Sequence, residues 1–309
     1  MGSNHGNWPR IAVVGAGAVG GYFGGMLARA GAPVVMIGRK SFVDALKAGG
    51  LRLDTLLFNE SVSVEASTEL SAARGADVVL FCVKTTDTAE AARALAPFVG
   101  PGTIVLSLQN GVDNLQQIRA VANITALAAV VYVAASVPEP GCIKHVGRGD
   151  LVLGPEAAQT RMLAALFARA AVPCRITGNI DGELWIKLIA NCALNAISAL
   201  GRAKYGRIAG NADARILMQA IVAEVLAVAD AAHVMLPGIE DAGKAMQEAM
   251  NIAAQMTQAM SSTAQDLNRG KRTEIDALNG YIARRGMELG VATPVNHTLF
   301  TLVKLAEGQ

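Results

Sequence analysis

The chain has 309 residues, 52% of them hydrophobic and 17% charged, with a formal net charge of +2. That length exceeds what one hydrophobic core usually fills, so two domains are expected. The near-neutral balance lacks the clustered basic residues of a dedicated nucleic-acid surface, and no apolar run reaches about eighteen residues without a helix-interrupting glycine or a charge, which argues against a membrane partner.

Aromatic residues make up only 4%, which favours closely packed, alanine-rich helices. Met1 to Trp8 is polar and glycine-rich, without the apolar stretch of a signal peptide, and is expected to be a flexible leader. Cys82, Cys142, Cys174 and Cys192 lie far apart among apolar neighbours. They have neither metal-ligand nor redox spacing, so no metal site is expected and the thiols read as reduced core residues of a cytoplasmic protein.

In chain order, Arg10 to Val14 is a short apolar strand, Gly15 to Gly20 reads G-A-G-A-V-G, a helical pattern runs to Ala30, and Pro33 to Gly38 is a second strand. Strand, glycine turn, helix and strand make the first unit of a doubly wound fold. Ala76 to Lys84 is a continuous apolar run, as a parallel strand covered on both faces should be. A helix is expected over Thr88 to Val99 and a buried strand over Thr103 to Leu108, ending at Gln109-Asn110-Gly111. Ile124 to Val137 and Ile143 to Gly154, separated by the Pro138 to Gly141 turn, read as antiparallel strands added to the sheet edge. A helix over Gln159 to Ala170 and a strand over Pro173 to Thr177 complete the α/β part.

After Gly178 only helical patterns remain, at about 180–200, 212–233, 239–252, 256–268, 274–290 and 294–306. The expected architecture is therefore α/β: a Rossmann-type doubly wound sheet domain over residues 1–178, followed by an all-helical domain over residues 179–309.

The glycine turn gains weight from its context. Gly15 allows the tight turn, Gly17 the close approach of a pyrophosphate and Gly20 the packing of helix on strand, while Ala16, Ala18 and Val19 complete the loop that opens the helix. The helix N-terminus offers N–H groups to phosphate. At the end of the second strand, where a carboxylate would hold the ribose diol of NAD, the chain has Ile37-Gly38-Arg39-Lys40. Two cations and no acid favour the 2′-phosphate of NADP(H), with Arg39 its ligand; a solvated basic turn is the plainer reading of the same residues.

Glu183 to Leu200 places Lys187, Asn191 and Asn195 at i, i+4 and i+8 on a helix otherwise almost wholly apolar. At about 100° per residue these three form one polar stripe. Burying an ammonium and two carboxamides is unfavourable unless they are paired or face a polar ligand.

Taken with Lys84-Thr85-Thr86, Gln109-Asn110-Gly111, Ser261-Ser262 and the segment D-L-N-R-G-K-R-T-E-I-D from Asp266 to Asp276, the stripe makes the chain resemble the ketopantoate reductases (2-dehydropantoate 2-reductases) from Arg10 onward. That resemblance implies NADPH-dependent reduction of a small 2-keto acid, 2-dehydropantoate, to pantoate in pantothenate and coenzyme A synthesis. It implies Lys187 as general acid and Glu274 as its acidic partner, which also touches the cofactor. Asn191, Asn195, Ser262 and Asn110 would surround the substrate, and Lys84 and Asn110 would lie at the nicotinamide end. Lys84 also reads as a strand-end cation, and Glu274 as a helix-terminal glutamate.

Two positions depart from the family pattern: Tyr205-Gly206 stands where an asparagine-glycine pair is common, and Ala259 stands where an asparagine is common. Both point to a related NADPH-dependent 2-keto acid reductase as the alternative. A non-catalytic NADP-sensing protein is a further alternative, against which the retention of Lys187 and Glu274 speaks. A homodimer is left open.

Overall fold

A computed structural model describes residues 8–308; Met1 to Asn7, which hold most of the expected leader, and Gln309 lie outside the described residues. The chain forms two compact units. One runs through Gln109 and resumes over Asp113–Ile180; the other combines Asn110–Val112 with the chain from Asp181 onward.

The first unit contains β1 (Ile11–Val14), α1 (Ala18–Arg29), β2 (Val34–Ile37), α2 (Lys40–Gly49), β3 (Leu51–Asp54), β4 (Asn59–Val62) and β5 (Glu65–Ser67). It continues with β6 (Val78–Phe81), α3 (Thr88–Leu95), β7 (Ile104–Ser107), α4 (Asn114–Val121), β8 (Ala126–Ser136), β9 (Cys142–Gly154), α5 (Ala158–Arg169) and β10 (Cys174–Ile176). The strands make one mixed sheet in the order β4-β3-β9-β8-β7-β6-β1-β2-β5, with β10 paired to β9. From β5 to β8 all neighbours are parallel. Strand order reverses beside β1, the switch point at which doubly wound sheets bind ligands.

Alternating side chains explain why both faces are covered. Ile11 and Val13 of β1 join Phe23 and Leu27 of α1 and Phe167 of α5 in one core, while Ala12 and Val14 join Leu95 of α3 and Ile118 of α4 in another. Each large side chain so buried contributes about 1.5–3 kcal/mol relative to exposure.

Helix α1 carries four glycines because the sheet curls around it. A methyl group on Gly24 would come within 2.6 Å of Val13 Cγ2 and 2.7 Å of the Met36 side chain, and one on Gly25 within 2.7 Å of Leu51 Cδ2. A methyl on Gly21 would collide with Ile143. One side of α1 therefore lies against β1 and β2 and the other against β3 and β9, with no room for a β-carbon on either.

That curl corrects the expectation for residues 124–154. Strand β8 is parallel to β7 and antiparallel to β9. Nor does β9 form the edge, because β3 pairs with it in parallel and β4 lies beyond. The β3, β4 and β5 strands carry no apolar run in the sequence, because each mixes polar and exposed residues into three or four positions.

The second unit is helical: α6 (Ile180–Leu200), α7 (Tyr205–Gly210), α8 (Ala212–Ala231), α9 (Ala242–Gln255), α10 (Ser262–Asn268), α11 (Asn279–Leu289) and α12 (Pro294–Ala306). By length and composition α6 could cross a membrane, but 67% of its most apolar window is buried inside this structure, as in the core helix of a bundle. Its Trp185, Leu188, Ile189 and Cys192 pack with Ile221 and Val225 of α8 and Ile282 of α11.

A buried polar chain fixes the helix order. Asn279 Nδ2 donates to Cys192 O at 3.2 Å and Asn296 Oδ1 at 2.9 Å, and Asn296 Nδ2 donates to Glu224 Oε2 at 2.7 Å. The Glu224 carboxylate also accepts Val295 N and Asn296 N, both at 2.8 Å, at the positive end of α12. Two expectations need correction here. Residues 256–261 form a turn rather than the start of a helix, so α10 begins only at Ser262, and 274–290 is a short 3₁₀ turn over Ile275–Ala277 followed by α11. The loop between α9 and α10 is strapped to α7, Tyr205 N donating to Ala259 O and Gly206 N to Thr257 O, both at 3.0 Å.

Candidate functional site

In the first unit the glycine turn lies at the end of β1. Gly15 has φ +96°, and a β-carbon there would stand 2.7 Å from the backbone of Cys82 and Val83, so only glycine fits the crossing beside β6. A β-carbon on Gly20 would stand 2.8 Å from Val13 Cγ1, which makes Gly20 the helix-to-strand contact. Gly17 differs from both: nothing lies within 4 Å of where its β-carbon would be. The structure itself does not demand glycine there, whereas close approach of a ligand would.

Gly17 is the N-cap of α1, contributes no side-chain cap, and the first turn carries no acid. Its N–H groups and positive dipole end thus point where a diphosphate would be held. These residues fit a dinucleotide. At the end of β2, Gly38 N donates to Ser67 O at 3.1 Å, Arg39 is exposed, and Lys40 pairs with Asp44 at 2.7 Å. No carboxylate occupies the position between Ile37 and Lys40.

At the ends of β6 and β7, Lys84 is half-buried and opens a 3₁₀ turn over Thr85–Asp87. Gln109, which the motif reading left without a role, holds these ends together. Its Nε2 donates to Thr88 Oγ1 at 2.7 Å and Val83 O at 3.1 Å, and its Oε1 accepts from Ser107 Oγ at 2.9 Å.

In the second unit the polar stripe of α6 runs from half-buried Lys187 and Asn191 to buried Asn195. Lys187 Nζ donates to Asn110 Oδ1 at 2.8 Å, and Asn110 Nδ2 donates to Glu274 Oε2 at 3.0 Å. One carboxamide thus relays between the ammonium and the carboxylate, its oxygen turned to the cation and its NH₂ to the anion. Gly111, at φ +86°, makes the turn that follows Asn110. Lys187, Asn110 and Glu274, three candidates far apart in sequence, are joined in one hydrogen-bonded chain.

Asn195 is tied differently. Its Oδ1 accepts from the Tyr205 hydroxyl at 2.8 Å, and its backbone oxygen accepts from Ser261 Oγ at 3.0 Å. Burial pushes the Tyr205 phenol above its ordinary pKa, which keeps it a donor. Of the serine pair, Ser261 is buried and caps α10 through Ala264 N, while Ser262 is exposed at the first turn of that helix. The sequence pattern did not find Tyr205 as a partner of Asn195, because a lone tyrosine between two helical stretches carries no periodic signal.

Residues 11–157 match the family model for ketopantoate reductase PanE/ApbA, and residues 179–307 match the model for its C-terminal part. A crystal structure of a PanE/ApbA family ketopantoate reductase from Ralstonia eutropha is 49% identical, with a TM-score of 0.90, over 97% of this chain and 98% of that one. The 2-dehydropantoate 2-reductases of Halobacterium salinarum and Pyrococcus horikoshii are 31% and 32% identical, each over 96% of this chain and over 99% and 97% of their own lengths. The chain belongs to the ketopantoate reductase family. Members of that family are oxidoreductases that use a nicotinamide dinucleotide.

Proposed function

We propose that this protein catalyses the NADPH-dependent reduction of 2-dehydropantoate to pantoate. The observation that carries this reading is the Lys187–Asn110–Glu274 chain on an apolar helix, in a protein of the ketopantoate reductase family. In this reading residues 1–178 bind the dinucleotide and residues 179–309 carry the catalytic groups.

Gly15 to Gly20 and the N-terminus of α1 hold the diphosphate, and Lys84 and Asn110 serve the nicotinamide end. Exposed Arg39, with no acid beside it, favours the 2′-phosphate, because a guanidinium grips phosphate through paired hydrogen bonds. When bound, the cofactor supplies a hydride to the ketone carbon.

The chain's own residues handle the charge that follows. An ammonium has three N–H donors, of which Asn110 takes one. Lys187 polarises the ketone oxygen and gives it a proton as negative charge develops there, leaving a neutral amine that solvent reprotonates. Glu274, through Asn110, orients the ammonium. Asn191, Asn195 and Ser262 supply neutral hydrogen-bonding groups to the rest of the substrate. A cytoplasmic setting is expected, and a homodimer is one assembly open to the chain.

The test is NADPH oxidation across a panel of 2-keto acids. Ketopantoate should give the highest kcat/KM. No turnover with any member would sink the reductase reading and favour an NADP-binding sensor, and a different best substrate would identify a related reductase.

A further inference from the structure

We infer that Glu307 and Lys304, one turn apart at the end of α12, are positioning residues for Glu274. This inference rests on the reductase reading above.

Glu274 lies between two residues that are each tied to α12. Before it, fully buried Thr273 donates both its backbone N, at 2.8 Å, and its Oγ1, at 2.6 Å, to Glu307 Oε1. After it, Asp276 Oδ2 accepts from Lys304 Nζ at 3.1 Å, and the same ammonium donates to Glu307 Oε2 at 2.6 Å. Ile275 N donates back to Thr273 Oγ1 at 3.2 Å, closing the turn. One ion pair therefore clamps the chain on both sides of Glu274, whose own carboxylate accepts from Asn110.

Lys304 and Glu307 are each held in the charged form. Burial alone would raise the Glu307 pKa, but hydrogen bonds from Lys304 and Thr273 more than offset it and hold the carboxylate below its ordinary value. Burial likewise opposes the charge on Lys304, and the bonds to Glu307 and Asp276 raise its pKa nonetheless. Val303 and Leu299 already anchor α12 in the core, so the clamp acts chiefly on the three-residue turn over Ile275–Ala277. What it adds is a fixed backbone at residues 273–276, and so a fixed distance from Glu274 to Asn110 and Lys187.

The experiment is a double-mutant cycle on the full chain, Glu307→Ala with Glu274→Gln, and Val303→Ala as a control that weakens α12 without touching the clamp. Ketopantoate reduction is assayed well below each variant's Tm, and NADPH affinity is titrated separately. Glu307→Ala should lower kcat by about ten- to a hundredfold, the effect of a misplaced catalytic group. NADPH affinity should hold, and Val303→Ala should keep near-normal kcat. In the Glu274→Gln background Glu307→Ala should cost almost nothing further, because residues that act as a unit are non-additive. Glu307→Gln, which keeps an acceptor for Thr273 but loses the ion pair, should fall between the two. If Glu307→Ala fails to fold, Lys304→Met takes its place in the cycle. Equal losses in both backgrounds, or a kcat loss in Val303→Ala as large as in Glu307→Ala, would overturn the clamp while leaving the reductase reading intact. A wild-type chain without turnover would remove both.

Discussion

Placing an ammonium on an apolar helix costs desolvation that a polar partner partly offsets, and for Lys187 the Asn110 oxygen is one such partner. Lys187→Ala should lower kcat at least about a hundredfold, the lower range for losing a positioned general acid, with NADPH affinity unchanged. Steady-state kinetics beside a cofactor titration check this, and near-normal turnover would end the assignment. Tyr205 raises a separate question, since its hydroxyl occupies the Asn195 oxygen. With Ala259 supplying no side-chain donor nearby, the chain should favour ketopantoate over an analogue lacking its hydroxyl by less than the roughly ten-thousandfold of strict hydrogen-bond selection. Tyr205→Phe should change that ratio and also cost about 1–3 kcal/mol of stability, because it leaves a buried carboxamide oxygen unpaired. The kcat/KM values of the two substrates, with a urea unfolding curve, measure both. The spacing of Lys187, Asn191 and Asn195 marked a polar stripe, whereas Glu274 entered only through the family resemblance. The Tyr205 to Asn195 bond was not legible, because nothing in a local pattern says which helix a tyrosine will meet.

Helix α1 separates two uses of glycine. Gly25 fills a contact in which added atoms would strike Leu51 and Leu53, whereas Gly17 borders open space. Gly25→Val should therefore destabilise the protein by about 1–3 kcal/mol through overpacking. Gly17→Ala should leave the urea midpoint almost unchanged while weakening NADPH binding, since only the ligand needs that space. Equal stability losses in both would contradict the division. The motif at residues 15–20 was readable because turn chemistry is local. The need for Gly21 and Gly25 was not, because it follows from β3 and β9 closing over the helix, and the need for Gly24 follows from the packing of α1 on Val13 of β1 and Met36 of β2. Helix α12 offers a test in pH. The folded pKa of Glu307 lies below its unfolded value, so its contribution to stability is present above the ordinary carboxylate range and is lost as pH falls through the folded pKa. Urea midpoints of wild type and Glu307→Gln should differ most near neutrality and converge in acid; a constant difference would mean that the charge carries none of the effect.

For the whole molecule, a ligand that binds only the native state stabilises it by mass action, about 2.7 kcal/mol at a hundred times its Kd. NADPH should thus raise Tm more than NADH at equal concentration, and Arg39→Ala should bring the two together by weakening NADPH alone. An equal loss for both cofactors would make Arg39 structural. The doubly wound sheet followed by helices was determined by the sequence itself. Apolar runs, glycine turns and helical periods each act over fewer than about twenty residues, so the segments that carry them can be read one by one. Two features belong to the tertiary structure alone. Strand β3 leaves its sequence neighbour β2 to pair with β9, curling the sheet round α1. Asn110 stands between Lys187 and Glu274, 77 and 164 residues away along the chain. Neither could be read beforehand, because edge pairing and hydrogen-bond partners are chosen by long-range packing, where shape and unsatisfied polar groups meet only once the chain has folded.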